Sequence, residues 1–179
     1  MSNEVAFRLL TERDCTSTLL DNFNRYQIVE QSWRKVDGEW ALVDTPFEED
    51  WDGAKRQRMS GNFKSCIQNG GRVMGCFDNG RLIGWACVQK ELFGSTRQYV
   101  NLDYLHVSTE CRNRGLGKIL FAHAASIATD FGATKLYISS QSSRETQAFY
   151  KSVGCHEAEE IDPVLFEKEP YDCHLEFIL

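Results

Sequence analysis

Residues 110–119 read ECRNRGLGKI and connect a run of strand-forming residues (98–107) to a run with helical periodicity (115–131). A helix N-terminus leaves backbone N–H groups unpaired and carries the positive end of the helix dipole, so it suits an anion. Gly115 and Gly117 remove side chains that would keep a phosphate away from this backbone. The stretch is typical of a pyrophosphate-binding loop on an α/β fold.

Three cations of this loop, Arg112, Arg114 and Lys118, supply local positive charge to an acidic chain. The net charge is -6 and the pI is about 5.3, which argues against a nucleic-acid or anionic-membrane partner. A tight turn that merely needs glycine is the alternative for an isolated glycine pair. The dinucleotide-binding fingerprint fails because Leu120 stands where its third glycine would be, and no complete P-loop pattern is present.

Length and composition predict one soluble domain over residues 1–179. No apolar run approaches the length needed to cross a bilayer and residues 1–14 lack a signal-peptide pattern, so a cytoplasmic protein is expected. The seven cysteines are scattered singly, without a CxxC pair or histidine cluster, which favours reduced thiols over disulfides or a metal site. Cys111 is the one cysteine considered as a possible nucleophile, because it adjoins the loop.

The periodicity along the chain predicts a mixed α/β sheet with helices on both faces. Asp37-Gly38 and Asn79-Gly80 are strong hairpin turns, and residues 28–52 are interpreted as an inserted hairpin. Ser142 and Glu145 have the spacing of a helix capping box. The predicted elements are strand 6–10, helix 11–26, hairpin 28–44, helix 53–69, hairpin 71–92, strand 98–107, helix 115–131, strand 135–139, a helix ending at Gly154, and strand 173–179.

Two ordered motifs resemble the GNAT superfamily of N-acetyltransferases. The first is Arg112-x-x-Gly115-x-Gly117, preceded by the strand LDYLHV, and the second is Phe149-Tyr150-Lys-Ser-Val-Gly154-Cys155 downstream. The resemblance covers roughly residues 71–155, which would form an acetyl-CoA-binding core. It implies a single domain with a mostly antiparallel central sheet and acetyl-CoA as co-substrate, with no metal.

The resemblance also implies roles for particular residues. The signature strand would pair with the pantetheine arm around Leu105 and Val107, and the amide of Leu105 would stabilise the oxyanion. Ser143 stands where many members carry an asparagine that contacts the cofactor, and Cys155 stands where many carry phenylalanine. The pyrophosphate would be held by the loop behind Arg112, through the backbone N–H groups of Asn113, Arg114, Gly115, Gly117 and Lys118.

Proton transfer needs an acid and a base, because an alkylamine is mostly protonated at neutral pH and a thiolate must leave. Tyr150 occupies the family's tyrosine position and is the candidate acid; a core tyrosine is the alternative. Some members carry a catalytic glutamate where this chain has Asn101. Strict strand alternation would put Asp103 on the same face as Asn101, Leu105 and Val107, so Asp103 is the first candidate base, with His106 and Glu110 as further candidates.

The acetyl acceptor is left open by the sequence. Trp33, Trp40 and Trp51 stand among many carboxylates, which suits a cationic amine, although these tryptophans could instead pack against the body of the domain. A small-molecule amine N-acetyltransferase is the first hypothesis. A protein or peptide acetyltransferase and a non-catalytic acyl-CoA-binding module are the alternatives, and a homodimer is left open.

Overall fold

A computed structural model describes residues 5–179 of the chain. The strands are β1 Val5–Leu9, β2 Gln27–Val36, β3 Glu39–Glu49, β4 Arg72–Asp78, β5 Arg81–Val88, β6 Tyr99–Val107, β7 Lys135–Ser140, β8 His156–Glu157 and β9 Cys173–Ile178. The helices are α1 Gly53–Gln68, α2 Leu116–Asp130, α3 Arg144–Ser152 and α4 Pro163–Lys168. None of the helices formed by the described residues is both long enough and apolar enough to cross a membrane.

A seven-stranded sheet in the order β1-β4-β5-β6-β7-β9-β8 forms the centre of the domain. Its neighbouring strands are antiparallel except for β6 and β7, which are parallel. Apolar residues of α1 pack on one face of the sheet, and those of α2 and α3 pack on the other. The predicted mixed, mostly antiparallel sheet with helices on both faces is therefore confirmed.

Both hairpin turns form where the sequence predicted them. Asp37 and Gly38 join β2 to β3, and Asn79 and Gly80 join β4 to β5. Their φ values lie between 49° and 87°, in the left-handed region that Asn, Asp and Gly tolerate best.

The helix predicted over residues 11–26 is wrong. Residues 11–23 form successive short turns, in which backbone N–H groups bond to carbonyls mostly three residues back. The Asp14 carboxylate accepts hydrogen bonds from the Thr11 backbone N–H and hydroxyl. Side-chain bonds of this kind compete with helix formation, and burial of Leu20 and Phe23 holds the irregular segment on the domain.

The β2–β3 hairpin is a separate two-stranded sheet that docks beside α3. The backbone N–H of Trp33 donates to the Ser142 carbonyl at 2.8 Å, and Ser32 bridges Ser143. Near the hairpin tip, Lys35 forms an ion pair with Glu157 at 3.1 Å. These contacts fix the hairpin against the end of β7.

A gap opens between β6 and β7 because their pairing is short. The two strands pair only from Tyr99↔Lys135 to Asn101↔Tyr137. Further along, Leu102–Val107 and Ser139–Gln141 line opposite parts of one cleft. Parallel strands that stop pairing leave backbone groups free for another partner.

A buried carboxylate joins the strands at the closed end of this gap. Glu176 of β9 is fully buried and accepts hydrogen bonds from Tyr99 Oη at 2.5 Å and Lys135 Nζ at 2.8 Å. His156 Nε2 lies 3.1 Å from the same carboxylate. Glu176 therefore connects β6, β7, β8 and β9 where the sheet is still intact.

We predict that Glu176→Leu lowers the free energy of unfolding by roughly 1–3 kcal/mol, because it leaves the buried Tyr99 hydroxyl without its acceptor. Glu159→Gln is the matched control, since Glu159 binds the same Lys135 but its side chain is 76% exposed; it should cost less than about 1 kcal/mol. Urea unfolding at neutral pH measures both. Equal losses for the two variants would contradict the role of Glu176.

Candidate active site

The gap between β6 and β7 is part of a cleft of 1320 Å³. Its walls come from β6, the end of β7, the loop before α2, the start of α3, the base of the β2–β3 hairpin, α1, and the segment from α4 to β9. Polar and charged side chains from almost every part of the fold therefore meet in one cavity.

The loop before α2 presents free backbone donors to this cleft. Among the described residues, no acceptor lies within hydrogen-bonding distance of the N–H groups of residues 113–117. Asn113 and Gly115 have φ values of 60° and 78°, and this left-handed backbone turns successive N–H groups toward one side. The N–H of Lys118 is already used, since it donates to the Gly115 carbonyl at 3.1 Å. Leu116, which the sequence reasoning did not include, has a free N–H instead.

The cationic side chains of the loop point in different directions. Arg114 and Lys118 are exposed, whereas Arg112 is partly buried and its Nε donates to the Val107 carbonyl at 3.2 Å. Arg112 thus braces the loop against the end of β6. Cys111 is buried in the core under α2, so it is not an exposed nucleophile.

The two sequence motifs meet at Gly117. A Cβ atom on Gly117 would lie 3.1 Å from the Phe149 ring, so the glycine allows Phe149 to pack directly on the first turn of α2. A Cβ atom on Gly115 would meet nothing within 4 Å. Gly115 is needed for its positive φ and Gly117 for close packing, which sharpens the single role that the sequence suggested for both.

A β-bulge in β6 changes which side chains face the same way. Cys87 pairs with Tyr104 and Val88 with Leu102, so Asp103 is an extra residue. Leu102 packs in the same core as Leu105 and Val107, whereas Tyr104 packs with the core under α1. The strict alternation assumed from the sequence is therefore wrong across residue 103.

The backbone of β6 offers donors along its open edge. Ser108 N–H donates to the Ile83 carbonyl at 2.8 Å, and bonded and non-bonded pairs alternate along an antiparallel ladder. The pairs Gly84↔Val107 and Ala86↔Leu105 are then the non-bonded ones. The N–H groups of Leu105 and Val107 consequently point away from β5, toward the side where β7 no longer pairs.

Tyr150 lies in the wall of the cleft from α3. Its side chain is buried, yet the residue lines the cavity. Burial, followed by the nearby Cys155 and Asp172, raises the pKa of the Tyr150 hydroxyl well above its usual value. The hydroxyl therefore keeps its proton throughout the neutral pH range.

Asp103 also lines the cleft. Its carboxylate accepts a hydrogen bond from Gln89 Nε2 at 3.1 Å and lies 3.5 Å from Asn101 Nδ2. Burial raises the pKa of Asp103, while the bond from Gln89 and the charge of Lys168 oppose the rise. A carboxylate with a raised pKa in a cleft is suited to accept a proton near neutral pH.

Of the two other candidate bases, His106 lines the cleft and Glu110 does not. The ring of His106 packs against Trp51 and Trp85 with centroids 5.3 Å and 5.5 Å away, and burial lowers the pKa of His106 well below its usual value. Glu110 forms an ion pair with Arg81 at 2.5 Å and also accepts a bond from Ser108. The charge of Glu110 is therefore engaged in a surface pair outside the cleft lining.

Ser143 caps helix α3 and does not line the cleft. Its side chain is fully buried and accepts the Thr146 N–H as the N-cap of α3. The N-cap is thus one residue later than predicted, and the capping box of Ser142 and Glu145 does not form. Because the Ser143 hydroxyl caps the helix, its expected contact with the cofactor is not supported by this geometry.

The acidic and aromatic segment around the hairpin contributes less to the cleft than its composition suggested. Trp51 and Glu49 line the cavity, but Trp40 packs on Lys35 and donates to Glu157 at 3.3 Å. Trp40 stays 39% exposed, whereas Trp51 packs against Phe23 and Trp85, so the alternative of tryptophans packed on the body of the domain describes Trp51.

Asp172 is a cleft residue that the sequence reasoning missed. It precedes β9, lines the cavity, and accepts a hydrogen bond from Ser139 Oγ at 3.0 Å. Burial raises the pKa of Asp172 to about 6. Its position depends on strand β9 lying beside β7, so no local sequence signal could have identified it.

The family model described as the acetyltransferase (GNAT) family matches residues 31–155, well over half of the chain. No curated protein matches the sequence significantly. Among solved structures, nourseothricin acetyltransferase is similar with a TM-score of 0.70 and 15% identity, covering 97% of this chain and 98% of that chain. At such identity the likeness shows the fold alone.

Two further similar structures contain a cofactor. A Bacillus anthracis protein assigned as a streptothricin acetyltransferase, in complex with acetyl coenzyme A, has a TM-score of 0.69 and 17% identity, covering 98% of this chain and 99% of that chain. PaiA N-acetyltransferase from Thermoplasma acidophilum, in complex with coenzyme A, has a TM-score of 0.61 and 14% identity, with coverage of 98% and 99%.

We predict that Gly115→Ala lowers the free energy of unfolding by about 1–2 kcal/mol, because an L side chain is strained at positive φ. Gly61→Ala is the matched control, since its Cβ would also meet nothing within 4 Å but it lies inside α1. It should raise stability by about 0.5–1 kcal/mol. Chemical denaturation of both variants checks the expectation, and a Gly115→Ala variant as stable as the wild type would refute it.

Proposed function

The chain belongs to the acetyltransferase (GNAT) family, and we propose that it transfers an acetyl group from acetyl-CoA directly to a primary amine of a small molecule. One observation carries the proposal. The free N–H groups of residues 113–117 and the open backbone edge of β6 face the same cleft. The acetyl-CoA and coenzyme A in two similar structures support this choice of co-substrate.

In this proposal the cofactor binds along two backbone surfaces. The N–H groups of residues 113–117 at the α2 N-terminus hold the pyrophosphate, and the exposed Arg114 and Lys118 add positive charge around it. The pantetheine arm extends β6 at the edge occupied by Leu105 and Val107, as an added strand would.

The reaction then requires one bond to form and one to break. The amine nitrogen attacks the thioester carbon, and the N–H of Leu105 stabilises the oxyanion. As the carbon–sulfur bond breaks, Tyr150 donates its hydroxyl proton to the CoA sulfur. Asp103 accepts the proton that the amine loses. The geometry supports these roles, because both side chains line the cleft that contains the open edge of β6.

The proposal is tested first at the cofactor. Acetyl-CoA and CoA should each raise the melting temperature, and acetyl-CoA should release free thiol in the presence of an amine from a mixed library. No thermal shift with either cofactor would overturn the proposal. A shift without thiol release from amines or peptides would identify a non-catalytic acyl-CoA-binding protein instead.

We predict that Tyr150→Phe lowers kcat by about 100-fold, because the thiolate leaves without its acid. The KM for acetyl-CoA should stay unchanged, since the ring still fills its place on α3. Steady-state thiol-release kinetics with any accepted amine measure both constants. Wild-type turnover in Tyr150→Phe would exclude the hydroxyl as the acid.

We predict that Asp103→Asn lowers kcat/KM by about 100-fold and removes the acidic limb of its pH profile. In the wild type, kcat/KM should rise with pH as Asp103 loses its proton, and the raised pKa moves this rise toward neutrality. Glu110→Gln is the control, because Glu110 pairs with Arg81 outside the cleft lining. If the acidic limb survives in Asp103→Asn and disappears in Asp172→Asn, the base is Asp172.

A further inference from the structure

Positive charge is concentrated on one wall of the cleft. Arg25, from the segment before β2, is 6% exposed, and its Nη2 donates to Glu49 at 3.0 Å. Lys55 Nζ of α1 lies 3.8 Å from the same carboxylate. The Trp51 ring lies beside both cations, 5.8 Å from the Arg25 guanidinium and 5.5 Å from the Lys55 ammonium.

A third cation, Arg112, adjoins this pair. Arg112 lines the same cleft as Arg25 and Lys55. Burial and then the charge of Arg25 lower the pKa of Arg112. The charges of Arg25, Arg112 and Lys55 all act on the His106 ring. His106 stays neutral, and these three cations form the basic wall of the cleft. Glu49 pairs with Arg25 and Lys55, Asp50 also acts on Arg25, and Glu110, which is already paired with Arg81, acts on Arg112.

The charge of this basic wall is incompletely matched. The Glu49 carboxylate is shared, since it also accepts a hydrogen bond from Gln141 Nε2 at 3.1 Å. Arg25 Nη1 bonds the neutral side chain of Gln27, and Arg25 Nε is buried without a partner among residues 5–179. A buried guanidinium is costly unless anions surround it, and the chain as a whole carries a net charge of -6. The surplus is therefore a local feature of the cleft.

Carboxylates from other elements line the same cleft. Asp103 of β6, with Glu169 and Asp172 from the segment between α4 and β9, forms the acidic wall. Lys168 is the cation on this side, and its charge acts on Asp103. Arg58 of α1 also lines the cavity.

We propose that the acetyl acceptor is an amino acid or a similar zwitterion, with its amine at the acidic wall and its carboxylate at the basic wall. This inference rests on the proposed acetyl transfer and names the acceptor class for the same cleft. The alternative of a polyamine would bring a second ammonium against Arg25, Lys55 and Arg112, where like charges repel. A carboxylate there gains charge-assisted hydrogen bonds instead.

Matched substrate pairs test the proposal directly. Each of the common amino acids is compared with its decarboxylated amine and its amide, for example lysine with cadaverine and phenylalanine with phenethylamine. For the accepted side chain, kcat/KM should be about tenfold or more higher with the carboxylate, the effect of one charged hydrogen bond. Equal or better acetylation of the decarboxylated amine overturns the proposal.

Binding to the CoA-loaded protein separates this proposal from the proposed function. Titration of the same pairs by calorimetry should detect the amino acid and not its decarboxylated partner, even if turnover is absent. Binding of no carboxylate-bearing member overturns the zwitterion proposal and leaves CoA binding untouched. Failure to bind CoA itself contradicts the proposed function.

Variants on α1 provide the matched residue test. Lys55→Met should raise the KM for the amino acid about tenfold without changing the KM for acetyl-CoA, and Lys55→Arg should restore it. Lys64→Met is the control, because Lys64 is an exposed lysine of the same helix outside the cleft lining. Equal KM values in Lys55→Met and Lys64→Met would overturn the assignment of the basic wall.

Discussion

The short parallel pairing of β6 with β7 is the constraint on which the rest of the site depends. The two strands bond only as far as Asn101↔Tyr137, and the bulge at Asp103 then reorients the end of β6. The gap can be stable only if β6 and β7 stay paired before Asn101. Glu176 stabilises this paired region, because it is fully buried and binds groups from β6, β7 and β8.

The open edge of β6 and the N-terminus of α2 both present free backbone donors to one cleft. Arg112 connects them, since its guanidinium bonds the carbonyl of Val107 at the end of the strand. Phe149 packs on Gly117 and so brings α3, with Tyr150, against the first turn of α2. The two motifs are distant in sequence but meet in space, which is why a change in either should affect the proposed cofactor site.

Local chemistry made much of the fold predictable from sequence. Adjacent residues predicted three features: the turn at Asn79-Gly80, the glycine-containing loop before α2, and α2 itself. The helix predicted over residues 11–26 was wrong because Thr and Asp side chains in this segment favour turns. The bulge at Asp103 shifts the strand by a single residue, which periodicity cannot detect. Arg25 and Asp172 enter the cleft only through long-range packing.

We propose that the open edge of β6 receives the cofactor. Amide hydrogen exchange measured by NMR with and without CoA distinguishes the two edges of this strand. Exchange at Leu105 and Val107 should become slower when CoA is bound, with no change at Tyr104 and His106, whose N–H groups face β5. Unchanged exchange at Leu105 and Val107 in the CoA-bound protein would contradict it.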